Sequence, residues 1–331
     1  NNVDLWIRGF GFSPVVAGLL FFAVLFLFQD IISTPFSLYR TFIIEEDFGF
    51  NKTTPKTYLV DKLKSYFILI LLGGFTLSLI LIFFNEFGDY AWLYAWVALS
   101  TMLVLAQPLF TSVIAPMFNK FTPLEDGELK NKINAFAEKV NFPLSRIDVM
   151  DGSRRSSKSN AYFSGLGKNK RIALFDTLIE KHSVEELVSI IAHEVGHYKK
   201  KHNIKGIIMG VVQTGIMFYL LSLFINNEAL FAAFKMENVS IYASLLFFSI
   251  LYSPIELIMS FLGNAISRKH EFEADAFAKT SIGTGKDLIE GLKKLTVTNL
   301  GNLTPHKLTV WLNYSHPPVL SRIKVLDSSE K

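Results

Sequence analysis

Five stretches of almost unbroken apolar residues set the plan of the chain, at approximately 14–32, 66–84, 91–115, 206–225 and 241–263. Each is long enough, or nearly so, to cross a hydrocarbon layer about 30 Å thick as a helix. Gln29 and Asp30 interrupt the end of the first and Gln213 the fourth. Polar groups at that depth usually face a protein interior or a wet cavity. The connecting segments differ in charge. The link at 85–90 carries Glu86 and Asp89 without a base, and 226–240 has only Lys235. By contrast 33–65 holds Arg40, Lys52, Lys56, Lys62 and Lys64, and 116–205 is dense in Lys and Arg. The positive-inside rule therefore puts 33–65, 116–205 and the C-terminal tail on the cytoplasmic side, with residue 1 outside.

Between the third and fourth stretches the pattern changes period. Asp126 to Val140 reads as an amphipathic helix with Leu129, Ile133, Phe136 and Val140 on one face. Ile147–Met150, Asn160–Phe163 and Arg171–Phe175 read as short antiparallel strands, the last two joined by a hairpin turn at Gly165–Asn169. Ser183 and Glu186 form a capping box, so a helix begins near Val184, with Leu187, Ile190, Ile191 and Val195 at helical spacing on its buried face. That helix carries His193-Glu194-Val195-Gly196-His197. Two neutral imidazoles one turn apart can share one Zn²⁺, and Glu194 then sits where it can take a proton from the attacking water. The competing reading is two surface histidines on an ordinary helix.

Composition narrows this further. Hydrophobic residues make up 50% and charged residues 19%, more apolar surface than a soluble core of this length needs. Cysteine is absent, which excludes disulfides and thiolate ligands, so a zinc ion here must use His and carboxylate. No nucleic-acid partner is expected. The opening Asn1-Asn2-Val3-Asp4 reads as that of a fragment or processed chain. A catalytic zinc wants three protein ligands, and the best source of the third is Ser267–Asp275, which continues a helix after the fifth stretch. Glu271 and Asp275 share a face there, one to bind metal and the other to orient a ligating His. Glu273 points elsewhere and reads as exposed. By itself this stretch is also a common solvated acidic face. Arg154, Arg155 and Lys158 leave two readings open, a solvated loop or contact with an acidic or carboxylate-ended substrate.

Several longer segments carry a family resemblance: Ser159–Phe163, Lys168–Ile172, Leu174–Leu178, His193–His197, Ser267-Arg268 with Glu271–Phe277, Tyr314–Pro318, and Ile43–Asn51. Together they resemble the type I CAAX prenyl proteases, integral-membrane zinc metalloproteases, over nearly the whole chain. The resemblance implies His193, His197 and Glu271 as zinc ligands and Glu194 as general base, inside helices that enclose a large water-filled chamber. It also implies removal of the last three residues from isoprenylated C-termini. His316, which on sequence alone reads as an exposed His in a proline turn, then becomes a second donor to the oxyanion, and Asn160 and Ala161, with Tyr162, hold the substrate backbone. Arg268 is expected to pair with Asp275 or a neighbouring carboxylate. His182, His202, His270 and His306 have no partner at ligand spacing and are expected at the surface. Relatives typically carry seven spans, and often His where this chain has Lys158.

The expected fold is thus mainly α and polytopic, a transmembrane helical barrel or chamber with a small α+β zinc-metalloprotease unit on the cytoplasmic side. Its parts are three spans over 1–115, a catalytic insertion over 116–205, two spans over 206–263, and a C-terminal catalytic part over 264–331. The expected function is a zinc-dependent membrane endopeptidase, with one Zn²⁺ per chain, acting on peptide or protein substrates with isoprenylated C-termini. The alternative is a broader quality-control endopeptidase without a prenyl requirement. A non-enzymatic chaperone or transporter is disfavoured by the candidate ligand set. Membrane lipid surrounds the protein in either the endoplasmic reticulum or a bacterial inner membrane.

Overall fold

A computed structural model of the chain describes residues 1–164 and 170–328. It is mainly helical with one small sheet, and divides into two compact units. The first comprises Asn1–Phe48, Thr54–Leu105 and Ile207–Glu256, the second Gly49–Thr53, Ala106–Gly206 and Leu257–Lys331. Among the described residues, five helices are long and apolar enough to cross a membrane: Pro14–Asp47, Pro55–Glu86, Gly88–Phe118, His202–Phe224 and Ile241–Ile282. Most run beyond the apolar stretches read from sequence. Hydropathy marks where lipid ends, whereas a helix continues through polar residues as long as nothing breaks its hydrogen bonds.

In the first unit, no apolar window of a span is more than 17% buried inside the protein. Large side chains such as Phe28, Ile31, Phe36 and Ile70 point outward. In water this surface would be untenable, and in lipid it is the expected one. Two internal clusters hold the helices together, one around Phe21, Leu81, Tyr242 and Phe247, the other around Phe84, Phe218, Leu221 and Phe248. The polar interruptions have partners or a cavity. Asp30 meets Lys62 at 2.9 Å and accepts from the Tyr66 hydroxyl at 2.6 Å. Gln213 lines a cavity of about 520 Å³ together with Thr214, Tyr252 and Glu256. Asp4, fully buried, accepts from Arg8 Nε at 2.9 Å and from the Tyr242 hydroxyl.

The second unit is built on a four-stranded sheet: β1 (Phe121–Pro123), β2 (Leu144–Met150), β3 (Ala161–Ser164) and β4 (Lys170–Phe175), in the order β1-β2-β4-β3. β2 and β4 are parallel while the other pairs are antiparallel, which corrects the wholly antiparallel expectation. The sequence pattern missed β1, whose three residues end in a proline and carry no alternation. β3 and β4 pair antiparallel from Ala161 opposite Leu174 to Ser164 opposite Arg171. The predicted turn at 165–169 between them lies outside the described residues. β3 ends the strand order, so among the described residues its outer edge has no strand partner.

The predicted amphipathic helix spans Glu128–Lys139 and the His193 helix Val184–Lys199. The capping box is present: Ser183 Oγ accepts from the Glu186 N–H at 3.2 Å, and the Ser183 N–H donates to Glu186 Oε2 at 3.1 Å. Ile133 and Phe136, Ile172 and Leu174 of β4, and Leu187, Ile191 and Val195 of the His193 helix join in one apolar core. Each such side chain contributes roughly 1.5–3 kcal/mol by leaving water. The sheet and the His193 helix are thereby locked to each other, and the helix's opposite face is left to the polar residues.

Candidate active site

His193 and His197 project from one face of their helix, with Nε2 atoms 3.1 Å apart. The helix Ile241–Ile282 supplies Glu271 and Asp275 to the same place. Close approach of the two helices depends on small residues. A Cβ on Gly196 would come within 3.0 Å of both Cα and O of Ala274, which is itself fully buried. Glu271 Oε2 then lies 3.5 Å from His193 Nε2, and Oε1 lies 3.3 Å from His197 Nε2. One donor atom from each of these three residues lies within 4.8 Å of the other two.

Asp275 grips the far side of His193, with Oδ1 2.8 Å from Nδ1. An imidazole that donates there keeps the lone pair of Nε2 for another partner. Asp275 is held in turn by Arg322, whose Nε and Nη2 reach its two oxygens at 2.8 and 2.6 Å in a bidentate pair. Arg322 Nη1 also approaches Glu271 Oε2 at 3.4 Å. The expectation that Arg268 pairs with Asp275 or a neighbouring carboxylate is corrected: Arg268 donates instead to the carbonyls of Val310 at 3.1 Å and Tyr314 at 2.7 Å. It ties down the segment leading to His316. Sequence reasoning missed Arg322, because a lone arginine in a short amphipathic helix looks like any surface base.

His316 is largely exposed, with Nε2 3.4 Å from Glu271 Oε1 and Nδ1 2.9 Å from Ser315 Oγ. A cleft of about 410 Å³ has Asn160, Ala161 and Tyr162 on one side and Glu194, Glu271 and His316 among its polar lining. Ile190, Leu288 and Leu292 make part of it apolar. Asn160 Oδ1 accepts from the following Ala161 N–H at 2.9 Å, and its carbonyl accepts from the Phe175 N–H at 3.1 Å. These two bonds set the start of β3 against β4.

Burial pushes the Glu194 carboxyl above the usual carboxylate range, against the pull of His193 and His197. At His193 burial disfavours the imidazolium, yet the carboxylates of Asp275 and Glu271 outweigh it and push the pKa up to about 9. The site thus favours positive charge at its centre. Arg322 likewise stays firmly charged: burial opposes this, and Asp275 and Glu271 more than compensate.

Of the four histidines expected at the surface, only His306 is exposed there, accepting from the Leu308 N–H at the start of a helix. His182 is buried, with Nδ1 3.0 Å from the Leu178 carbonyl oxygen. His202 is buried too, with Nδ1 3.0 Å from His197 Nδ1 and Nε2 3.0 Å from Glu273 Oε2. His270 stacks on it, ring centroids 3.9 Å apart. Glu273 is therefore a partner of His202 and not the exposed side chain anticipated. The reason is the turn after the His193 helix, where Lys201 takes a left-handed φ of 57° and brings His202 back toward His197. Pattern analysis by helical spacing cannot follow a chain through such a reversal.

The donor set fits a metal ion. Two imidazoles and one carboxylate are the hard and borderline donors that suit zinc in the absence of cysteine. Glu271 Oε2 is buried without a hydrogen-bond partner among the described residues, Arg322 Nη1 lying 3.4 Å away without bonding to it, which leaves a lone pair that a metal ion would take up.

Residues 123–330 match peptidase family M48, and residues 2–120 match the CAAX prenyl protease N-terminal family, described as five membrane helices. The chain belongs to peptidase family M48, and it is an integral, multi-pass membrane metallopeptidase that acts on peptide or protein substrates. It is 35% identical to the mouse CAAX prenyl protease 1 homolog, over 97% of this chain and 76% of that protein. With CAAX prenyl protease 1 of Saccharomyces cerevisiae the identity is 37%, over 98% of this chain and 75% of the relative. The crystal structure of S. mikatae Ste24p superposes with a TM-score of 0.91 at 37% identity, covering 96% of this chain and 77% of that one.

Proposed function

We propose that the chain is a zinc-dependent endopeptidase that removes the last three residues from isoprenylated CAAX C-termini, working on the cytoplasmic side of its membrane. The observation that carries this is the convergence of His193, His197 and Glu271 beside Glu194, in a cleft bordered by β3. The printed names of the relatives supply the substrate class. The basic segments 33–65 and 116–205 support the orientation.

Zinc held by these three side chains would act as a Lewis acid, polarising the scissile carbonyl and making an attacking water more acidic. The chain's own groups do the rest. β3 offers its unpaired edge to an extended peptide, with Asn160, Ala161 and Tyr162 along it. Glu194 takes the proton of the attacking water and passes it to the leaving amine. Its raised pKa suits both halves of that task. Asp275, braced by Arg322, keeps the proton of His193 on Nδ1. Where the Ser315 hydroxyl, 2.9 Å from His316 Nδ1, donates to it, Nε2 keeps its proton and can donate to the carbonyl oxygen as charge develops there. Residues 116–205 and 264–331 then form the catalytic part, and 1–115 and 206–263 the membrane part.

The test is zinc content together with cleavage of a farnesylated C-a-a-X peptide and its unmodified twin, for wild type and Glu194→Gln. One zinc in each protein is expected, with cleavage falling by roughly 10²–10⁴-fold in the variant. Wild type should prefer the farnesylated peptide. Equal rates on the two peptides would shift the reading to a quality-control endopeptidase, and near-normal cleavage by Glu194→Gln would remove Glu194 as the base.

A further inference from the structure

We propose that His202, held by Glu273, selects the tautomer of His197 and so prepares it to bind metal. This rests on the reading of His193, His197 and Glu271 as the metal ligands. The argument is one of hydrogen-bond direction. Glu273 Oε2 can only accept when ionised, so His202 Nε2, 3.0 Å away, carries the proton. Neutral His202 then presents a lone pair on Nδ1. That atom faces His197 Nδ1 at 3.0 Å, so His197 must be the donor. With its proton on Nδ1, His197 has a bare Nε2, the atom aimed at His193 Nε2 and Glu271. The opposite tautomer of His197 would set two lone pairs against each other at Nδ1, where only His202 faces it, whereas the lone pairs left facing at the two Nε2 atoms, 3.1 Å apart, are those a metal ion would take up.

The device is built for rigidity. His202 is 5% exposed, and its ring lies flat on His270, 10° from parallel. Its position follows from the left-handed turn at Lys201. Glu273 sits two residues beyond Glu271 on one helix, so a single element presents a carboxylate to the metal site and another to the group behind it. The two imidazoles are thus braced differently, His193 by a carboxylate and His197 by a neutral ring that a carboxylate orients. Ligating histidines generally donate their second N–H to such a partner, and losing it typically weakens metal binding.

The experiment uses the full chain in detergent, with zinc affinity read by chelator competition and site geometry by the visible spectrum of the Co²⁺-loaded protein. His202→Phe keeps the ring and its stacking but has no nitrogen. His202→Gln keeps one acceptor for His197 and one donor for Glu273. The Phe variant is expected to lose roughly 10–100-fold in zinc affinity and to shift the Co²⁺ bands, with Gln restoring most of both. Should the Phe variant not fold, Glu273→Leu, which touches His202 but not the ligands, is expected to weaken zinc in the same direction. Wild-type affinity and spectrum in His202→Phe, or in Glu273→Leu where that variant stands in, would overturn the proposal. So would an equal loss in Phe and Gln, since packing alone would then explain it. A wild-type protein that binds no zinc would overturn the ligand reading itself, and that result appears before any variant is made.

Discussion

The two units of the molecule treat buried charge in opposite ways. In the first unit two acids are closed off. Asp4 is matched by Arg8 and Tyr242, and Asp30 by Lys62 and Tyr66, leaving compact pairs beneath an apolar exterior. In the second unit Asp275 is closed in the same manner by Arg322 and His193, but one oxygen of Glu271 beside it is buried with no hydrogen-bond partner among the described residues. Glu271 has charged neighbours, Arg322 Nη1 at 3.4 Å among them, yet a buried carboxylate oxygen that accepts no hydrogen bond is costly, so a fold keeps it where something else completes it. A satisfied pair reports on stability, and an unsatisfied one beside two histidines reports on a ligand.

That contrast can be broken at several points. Arg322→Met should have the largest effect, because it leaves Asp275 buried without its cation. A loss of about 3–5 kcal/mol is expected in denaturant or thermal unfolding. If stability were unchanged, Asp275 would not depend on the pair, and the distinction between closed and open acids would fail. Gly196→Ala tests the close approach of the helices, since the added Cβ meets the backbone of Ala274 at 3.0 Å. Overpacking of this kind costs about 1–3 kcal/mol, and zinc affinity should drop with it as Glu271 is pushed from the histidines. Unaltered affinity would show that the helices have room to spare. Asp30→Asn should do least. It weakens one ion pair while keeping hydrogen bonds to Tyr66 and Thr34, so a change of about 1 kcal/mol is expected with zinc stoichiometry intact. A loss of zinc in that variant would mean that the pair serves the metal site after all.

Much of the fold was legible because its signals are local. The spans announce themselves by length and hydropathy, the His193 helix by its capping box and its 3.6-residue period, and β2, β3 and β4 by short alternating or apolar runs. The strand directions were not legible. Whether β2 pairs parallel or antiparallel with β4 depends on which strand the chain visits between them, and no residue in either records it. Within the site, His193 and His197 could be paired from spacing alone, being one turn apart on one helix. The proposed role of Glu271 needed the His193 motif beside it, because an acidic helical face alone has many ordinary explanations.

By itself, then, the sequence determined the long helices and the strands other than β1, which segments suit lipid, and which two histidines share a face. Those properties depend on neighbours within a turn or two, where backbone geometry translates spacing into direction. Only the tertiary structure decided that Arg322 closes on Asp275 across 47 residues, that Arg268 turns to the carbonyls near His316, and that His202 reaches Glu273 across 71. Contacts at such separations arise from the packing of whole elements, here from the small residues Gly196 and Ala274 that let two helices meet and from the left-handed turn at Lys201. A linear pattern carries no period for them, because the distance along the chain has no fixed relation to the distance in space.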